Sequence, residues 1–349
     1  MLGGGVFVTQ NKILPGSYIN FVNASQAPAN LGERGIVAIP LKLNHKVGEV
    51  IEVNRAEFVG NSVELVGVEY SSVEAAPLRE IFKNATKVYV YDLGDSGTAS
   101  EAVAALEPYE FNILCAYTGE TADISAYTAA VQSWRDDIGK KCQVVVYNAS
   151  KPDYEGVINL KSTVSDNDIT NGAPAYALTA WLAGAEAGCN INESCTNKLY
   201  NGEYTVVTNK TQSQLEQHIK DGEIVFHLVY GEVRLLEDVN SLTTTTMDKG
   251  EDFKSNQTMR VVDQIANDIA KLFNTKYLGK IPNDASGRVS LWGDIVKHHK
   301  ELERLRAIEN FDPTALTVLQ GDTKKSVVVN DVVIVTNAMA QLYMTVVVQ

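Results

Sequence analysis

The sequence predicts a multidomain protein of mixed α/β and α+β class: a small β-rich domain, an α/β middle domain, and a C-terminal α+β domain with β-strands at the chain ends. Three observations carry this reading. Residues 89–245 alternate short apolar runs with helical patterns, as a parallel sheet with helices on its faces requires. Residues 23–88 hold short apolar runs punctuated by Gly32, Gly48, Gly60-Asn61 and Pro77, which marks strands and turns. The last stretch, Gln341–Gln349, stays rich in Val to within one residue of its end, where most chains fray into polar residues.

Residues 1–22 read as an extended arm. Gly3-Gly4-Gly5 leads into a short strand, Val6–Thr9, and Pro15-Gly16 opens a second, Ser17–Val22. The glycines are not a phosphate cradle, because such a loop follows a strand and opens into a helix; here a strand follows. Residues 23–88 supply strands at Gly35–Leu41, Val47–Val53 and Ser62–Val68.

The middle domain, 89–245, takes strands near Lys87–Asp92, Phe111–Ala116, Cys142–Tyr147, Val157–Leu160 and Ile224–Tyr230. Its clearest helix spans Asp123–Ile138, with Ile124, Tyr127, Val131, Trp134 and Ile138 at three- and four-residue spacing. Others cover Pro174–Ala187, opening on a proline, and Gln212–Lys220, stopping at Gly222. A hairpin turns at Tyr230-Gly231. Thr243–Thr246 and the charges of Asp248–Asp252 form a solvated link.

In 246–349, Val262, Ile265, Ala266, Ile269, Leu272 and Phe273 stripe one helix, capped by Ser255. Trp292, Ile295, Val296, Leu302 and Leu305 mark a second, whose Lys297, Lys300, Glu301, Glu303, Arg304 and Arg306 make a solvated face. Strands follow, and in the last one Leu342, Met344, Val346 and Val348 alternate with Tyr343, Thr345, Val347 and Gln349. Such an apolar edge has to be tied down by its own domain or by another molecule.

The formal net charge of −13 opposes nucleic acid and anionic membranes and keeps a concentrated protein soluble. The start lacks the basic and apolar regions of a secretory signal, and no stretch nears the roughly 20 apolar residues of a membrane span. Cys115, Cys142, Cys189 and Cys195 are scattered; they read as free thiols of a protein folded in a reducing cytoplasm.

Gly94-Asp95-Ser96-Gly97 copies the sequence around a chymotrypsin-type nucleophile, but it follows a strand in an α/β region, where turn residues serve turns. None of His45, His218, His227, His298 and His299 sits in a pattern that would activate it. His298 and His299 point roughly 100° apart on a helix and cannot share one metal. Asp92 and Asp95 alone make a weak cation pair, and neither a Gly-x-Ser-x-Gly elbow nor a phosphate-binding loop is present. The expectation is no catalytic residue, no cofactor and no metal site. The rival readings are an α/β hydrolase-like enzyme using Ser96 and a plain binding module.

Several stretches carry a family resemblance. Leu14–Phe21 (LPGSYINF), Gly35–Leu41, Val233-Arg234 followed by Asn240–Thr244 (NSLTT), Lys276–Asp284 (KYLGKIPND) and Leu342–Val348 (LYMTVVV) resemble contractile-tail sheath proteins over nearly the whole chain. The resemblance implies a middle domain of subtilisin-like fold without the triad. It implies a subunit that polymerises with itself into hexameric rings stacked helically around an inner tail tube protein, with baseplate and tail terminator proteins as further partners. Terminal arms would add strands to a neighbour's sheet: Val6, Phe7, Val8 and Thr9, with Tyr18–Phe21 as a second candidate, and Leu342, Tyr343, Met344, Thr345, Val346, Val347 and Val348. Contraction would be a rigid-body rearrangement that drives the tube through a cell envelope. The particle would be a virion tail or a phage-tail-like bacteriocin assembled in the bacterial host cytoplasm, with no nucleic acid bound and no membrane insertion.

Overall fold

A computed structural model describes residues 31–348. Both N-terminal arm segments, Val6–Thr9 and Tyr18–Phe21, lie outside the described residues. From Leu31 the chain enters β1 (Ile36–Leu41), β2 (Val50–Asn54), α1 (Arg55–Val66), α2 (Ala76–Ile81) and β3 (Lys87–Asp92). It continues through α3 (Ala99–Leu106), β4 (Ile113–Cys115), α4 (Thr121–Ser133, prolonged by a π-helical turn to Ile138), β5 (Gln143–Tyr147) and β6 (Val157–Leu160). Then come α5 (Asp166–Thr170), α6 (Leu178–Gly188), α7 (Gln212–Lys220), β7 (Glu223–Ile224), β8 (Phe226–Val229) and β9 (Glu232–Leu235). The C-terminal part holds α8 (Asn256–Leu272, with a π-helical turn to Tyr277), α9 (Ala285–Arg304), β10 (Ile308–Glu309), β11 (Thr317–Gln320), β12 (Val327–Asn330) and β13 (Ile334–Val335).

β1 to β7 build one seven-stranded sheet in the order β2-β3-β1-β4-β5-β6-β7. Neighbours are parallel except β2, which runs antiparallel to β3. Every residue of β1 is buried, as a central strand covered on both faces demands. Period-2 alternation then sorts its side chains. Val37, Ile39 and Leu41 pack with Leu78, Ile81, Leu178 and Trp181 on one face; Ile36 and Ala38 pack with Ala102, Leu106, Tyr127 and Val131 on the other.

The separate β-rich domain expected over 23–88 does not hold among the described residues, because β1 and β2 join the sheet that β3 to β7 complete. The strand expected at Ser62–Val68 is the second half of α1. Its apolar residues fit either period, and helical spacing places Phe58, Ser62 and Val66 inward. The Gly60-Asn61 turn signal survives as a kink, with Asn61 at φ −138°, ψ 38°. Ile224–Tyr230 is not one strand but two, β7 in the large sheet and β8 in a hairpin with β9. That hairpin turns where expected: Tyr230 (φ 50°) and Gly231 (φ 88°) both take the left-handed conformation of a tight primed turn.

Ser255 caps α8 as expected, accepting from the Thr258 amide. The burial of α8 reverses the expectation. Ile265, Ala266 and Ile269 are only half-buried, whereas Asn256, Gln257, Thr258, Arg260, Asp263, Gln264 and Asp268 are buried. Part of this polar face points into the α/β region and finds partners there, while Gln257, Thr258 and Asp268 bond within the C-terminal part. Arg135 beyond α4 forms two bonds to Asp263, at 2.6 and 2.9 Å. Asn256 accepts from Gln143 of β5 at 3.0 Å, and Asn267 exchanges two bonds with the backbone of Lys141. Apolar packing between α8 and α9 forms two further small cores, around Val261 and Leu302 and around Tyr277, Leu291 and Ile295. No helix among the described residues is long and apolar enough to cross a membrane.

Candidate functional site

In an open α/β sheet, ligands bind outside the carboxyl ends of the strands. Asp92 ends β3 there, ahead of Gly94-Asp95-Ser96-Gly97. Its Oδ1 accepts from the amides of Leu43 (3.1 Å), Asn44 (3.0 Å) and Gly94 (2.9 Å), and its Oδ2 from those of His45 and Lys46 (both 2.7 Å). Burial pushes this carboxyl up, but the amides of Gly94, His45, Lys46 and Leu43 outweigh it and hold it below the usual range. An acceptor so fully occupied organises two loops and has no lone pair to offer a cation. Asp95 instead accepts from Asn44 Nδ2 at 2.8 Å.

Ser96 lies exposed in the following turn, and no histidine among the described residues bonds to it. His45 contacts the Glu64 carbonyl, His218 pairs with Glu223, His298 with Asp268, and His299 with Asp331. His227 Nε2 has no partner among the described residues. Near the sheet's switch between β1 and β4, Tyr117 packs edge-on against Tyr176 at 5.0 Å. A cavity of about 560 Å³ opens at the opposite edge, between the start of the parallel strands (Ile36, Lys87, Asn112) and α8 (Gln264, Asn267, Lys271).

Sequence reasoning missed a buried cluster around Arg260 of α8. Its Nη2 lies 2.7 Å from Glu186 Oε2, 3.4 Å from Asp238 Oδ2 and 3.9 Å from Cys195 Sγ. Burial, with the adjacent Asp238, pushes the Glu186 carboxyl well above the usual carboxylate range. Glu186 Oε1 and Asp238 Oδ1 have no hydrogen-bond partner among the described residues. Glu186, Cys195 and Asp238 stand close enough to bracket a metal ion, but the guanidinium already supplies the cation. All four cysteines are buried and unbridged.

An unpartnered apolar stretch lies at the C-terminal end of the described residues. β10 pairs with β13, and β11 with β12, as separate two-stranded sheets, so each of these strands keeps an unpaired edge among the described residues. After β13, Gln257 of α8 grips the exit: its Nε2 donates to the Thr336 carbonyl (3.1 Å) and its Oε1 accepts from the Ala338 amide (2.9 Å). Beyond that grip, residues 339–348 are exposed and form no strand. Leu342, Tyr343, Met344, Val346, Val347 and Val348 are 69–90% exposed, and Thr345 is exposed with them. Their own domain does not hold them.

An α/β core whose strand-end loops are occupied by their own backbone, joined to a helical module with unpaired strand edges among the described residues, has the build of a structural subunit. Comparison with known proteins identifies which kind. Residues 95–241 match the phage tail sheath protein central domain, and residues 248–349 match the phage tail sheath C-terminal domain. The chain belongs to the phage tail sheath family.

The tail sheath protein of Clostridium phage phiCD119 is 24% identical over 297 residues, covering 84% of this chain and 81% of that one. The phage-like element PBSX protein XkdK of Bacillus subtilis is 33% identical over 175 residues, 49% of this chain but 37% of its own length. The chain thus spans little more than a third of that relative. Among solved structures, the sheath tail protein of Desulfitobacterium hafniense superposes with a TM-score of 0.75 at 26% identity, covering 92% of this chain and 100% of that one. The helical sheath of the anti-feeding prophage in its contracted state shares the fold, with a TM-score of 0.71 at 14% identity over 96% of this chain and 99% of that one.

Proposed function

We propose that this chain polymerises into a helical six-fold tube around an inner tail tube and contracts to drive that tube through a cell envelope. The observation that carries the reading is the exposed run Leu342–Val348, left unpaired in a C-terminal part whose two small sheets keep open edges among the described residues. A strand from a neighbour added to such an edge supplies backbone hydrogen bonds and buries alternate side chains. The contact is heterologous, so it propagates into a tube instead of closing on itself. Val6–Thr9 is proposed to act at the same joint, with Tyr18–Phe21 as the second candidate.

Contraction then repacks subunits as rigid bodies. The buried Arg135–Asp263 and Arg260–Asp238 ion pairs that fix α8 to the α/β region support this, since breaking them inside a moving subunit would leave charges uncompensated. The fold shared with a contracted sheath supports it further. The seven-stranded sheet supports a subtilisin-like middle domain without the triad, and residues 246–349 are read as the assembly domain. Inner tube, baseplate and tail terminator proteins are the proposed partners, and a phage tail or tail-like bacteriocin assembled in the host cytoplasm is the proposed particle.

Negative-stain microscopy of the purified full chain tests the proposal. Rings or long tubes are expected. Dispersed monomers under all assembly conditions would overturn it and return the chain to the binding-module reading.

A further inference from the structure

We propose that His298 and His299 form a one-proton site that couples the N-terminal end of the described chain to the strands at its C-terminal end. The two imidazoles face each other, Nδ1 to Nδ1, at 3.2 Å. Each outer nitrogen meets a carboxylate: His298 Nε2 lies 2.9 Å from Asp268 Oδ2, and His299 Nε2 lies 2.7 Å from Asp331 Oδ2. The chain therefore contains three short contacts between groups that accept unless a proton lies between them. Two neutral imidazoles bring two N–H protons; the third contact requires one more.

The geometry also says where that proton sits. Asp268 accepts from the Gly32 amide and, at both oxygens, from Gln264 Nε2 at 2.9 Å, a setting for an ionised carboxylate. Asp331 is partly exposed, with a quarter of its side chain open to water. The extra proton therefore belongs to the rings, one doubly protonated and donating to the bare Nδ1 of the other. Both rings are buried, so an unprotonated pair would hold two lone pairs against each other with no water between them.

The surrounding charges are few. Asp268 approaches from α8 and Asp331 from the β12–β13 connection. Arg34 reaches the group only through Gln264, at 3.3 Å. The Phe311 ring packs tilted against His299, centroids 5.0 Å apart, its amide held by Glu303. On α9 itself, Lys297 and Lys300 flank the pair in sequence, half-buried and exposed respectively.

The string of side chains runs from the Gly32 backbone, through α8 and α9, to the loop between the last two strands. Loss of the proton leaves the central link without a hydrogen bond and separates the two halves of the string. Raising the pH therefore loosens the joint, and the exposed end at Asp331 is the route by which solvent base removes the proton. The bearing on assembly rests on the terminal-arm reading, but the proton count does not.

15N-histidine NMR of the full chain reads the count directly, with His299→Gln used to assign the pair. Near neutral pH, one ring of the pair is expected to be doubly protonated, and the other to carry a proton on Nε2 alone. On raising the pH both rings should report one shared single-proton step, and His299→Gln should abolish that step. Two rings that are both neutral near neutral pH, or that titrate independently, would overturn the proposal. The wild-type spectrum decides the count even if the variant fails to fold, and it does so whether or not tubes form.

Discussion

Replacing Asp92 with Asn tests whether this carboxylate is a structural organiser. The substitution keeps the shape and leaves Oδ1 for the amides of Leu43, Asn44 and Gly94. It turns Oδ2 into an NH2 group facing the amides of His45 and Lys46, donors toward donors. Each hydrogen bond to a charged group contributes about 1.5–3 kcal/mol, so losing two costs about 3–6 kcal/mol. Urea denaturation at neutral pH should show that loss as a lowered midpoint with unchanged slope.

The pH dependence has a definite sign. The folded carboxyl lies below its ordinary value of about 3.9, so its stabilisation is present above that value and fades as pH falls through the depressed one. The gap between wild type and Asp92→Asn should therefore narrow on acidification from about pH 7 to below about pH 3. A variant within about 1 kcal/mol of wild type at neutral pH, where buried polar losses exceed that figure, would refute the reasoning.

Three further outcomes follow from the geometry. Ser96→Ala should leave folding unchanged, and the wild-type chain should resist serine-reactive fluorophosphonates; labelling lost in the mutant would restore the hydrolase reading. Four thiols should react in denaturant without reductant, since all four cysteines are unbridged; two or fewer would reveal a disulfide. Asp263→Ala should destabilise the chain by about 3–5 kcal/mol by stranding buried Arg135, while Arg135→Met combined with Asp263→Leu should recover most of it. Calorimetry on the single and double variants separates the two.

Elements whose signal is local were legible in the sequence. β3, β6 and α7 fall at the expected residues, and the Tyr230-Gly231 turn needs only its own backbone. What depended on distant partners was not. β1 and β2 look like a separate β-rich unit because pairing with β3 and β4 leaves no trace within their own stretch. The polar residues of α8 look solvated because Arg135 lies 128 positions from Asp263 and Glu186 lies 74 from Arg260. His298 and His299 look like part of a charged helix for the same reason: Asp331, which meets His299 after burial, is 32 residues away. The terminal run was legible because an apolar stretch with no amphipathic partner is conspicuous without any fold. The family resemblance read from five short stretches is now carried by two domain matches.

The most direct test of the central claim removes the terminal run. Leu342, Val346, Val347 and Val348 are 69–90% exposed, and each Val or Leu buried by a neighbour would contribute about 1.5–3 kcal/mol before the ordering cost. Ending the chain after Gln341 removes these contacts while leaving the Gln257 grip on Thr336 and Ala338 in place. Electron microscopy of this truncated chain, with circular dichroism as the check on folding, should find folded particles and no tubes under conditions where the full chain polymerises. Tubes that still form without the run would contradict the account.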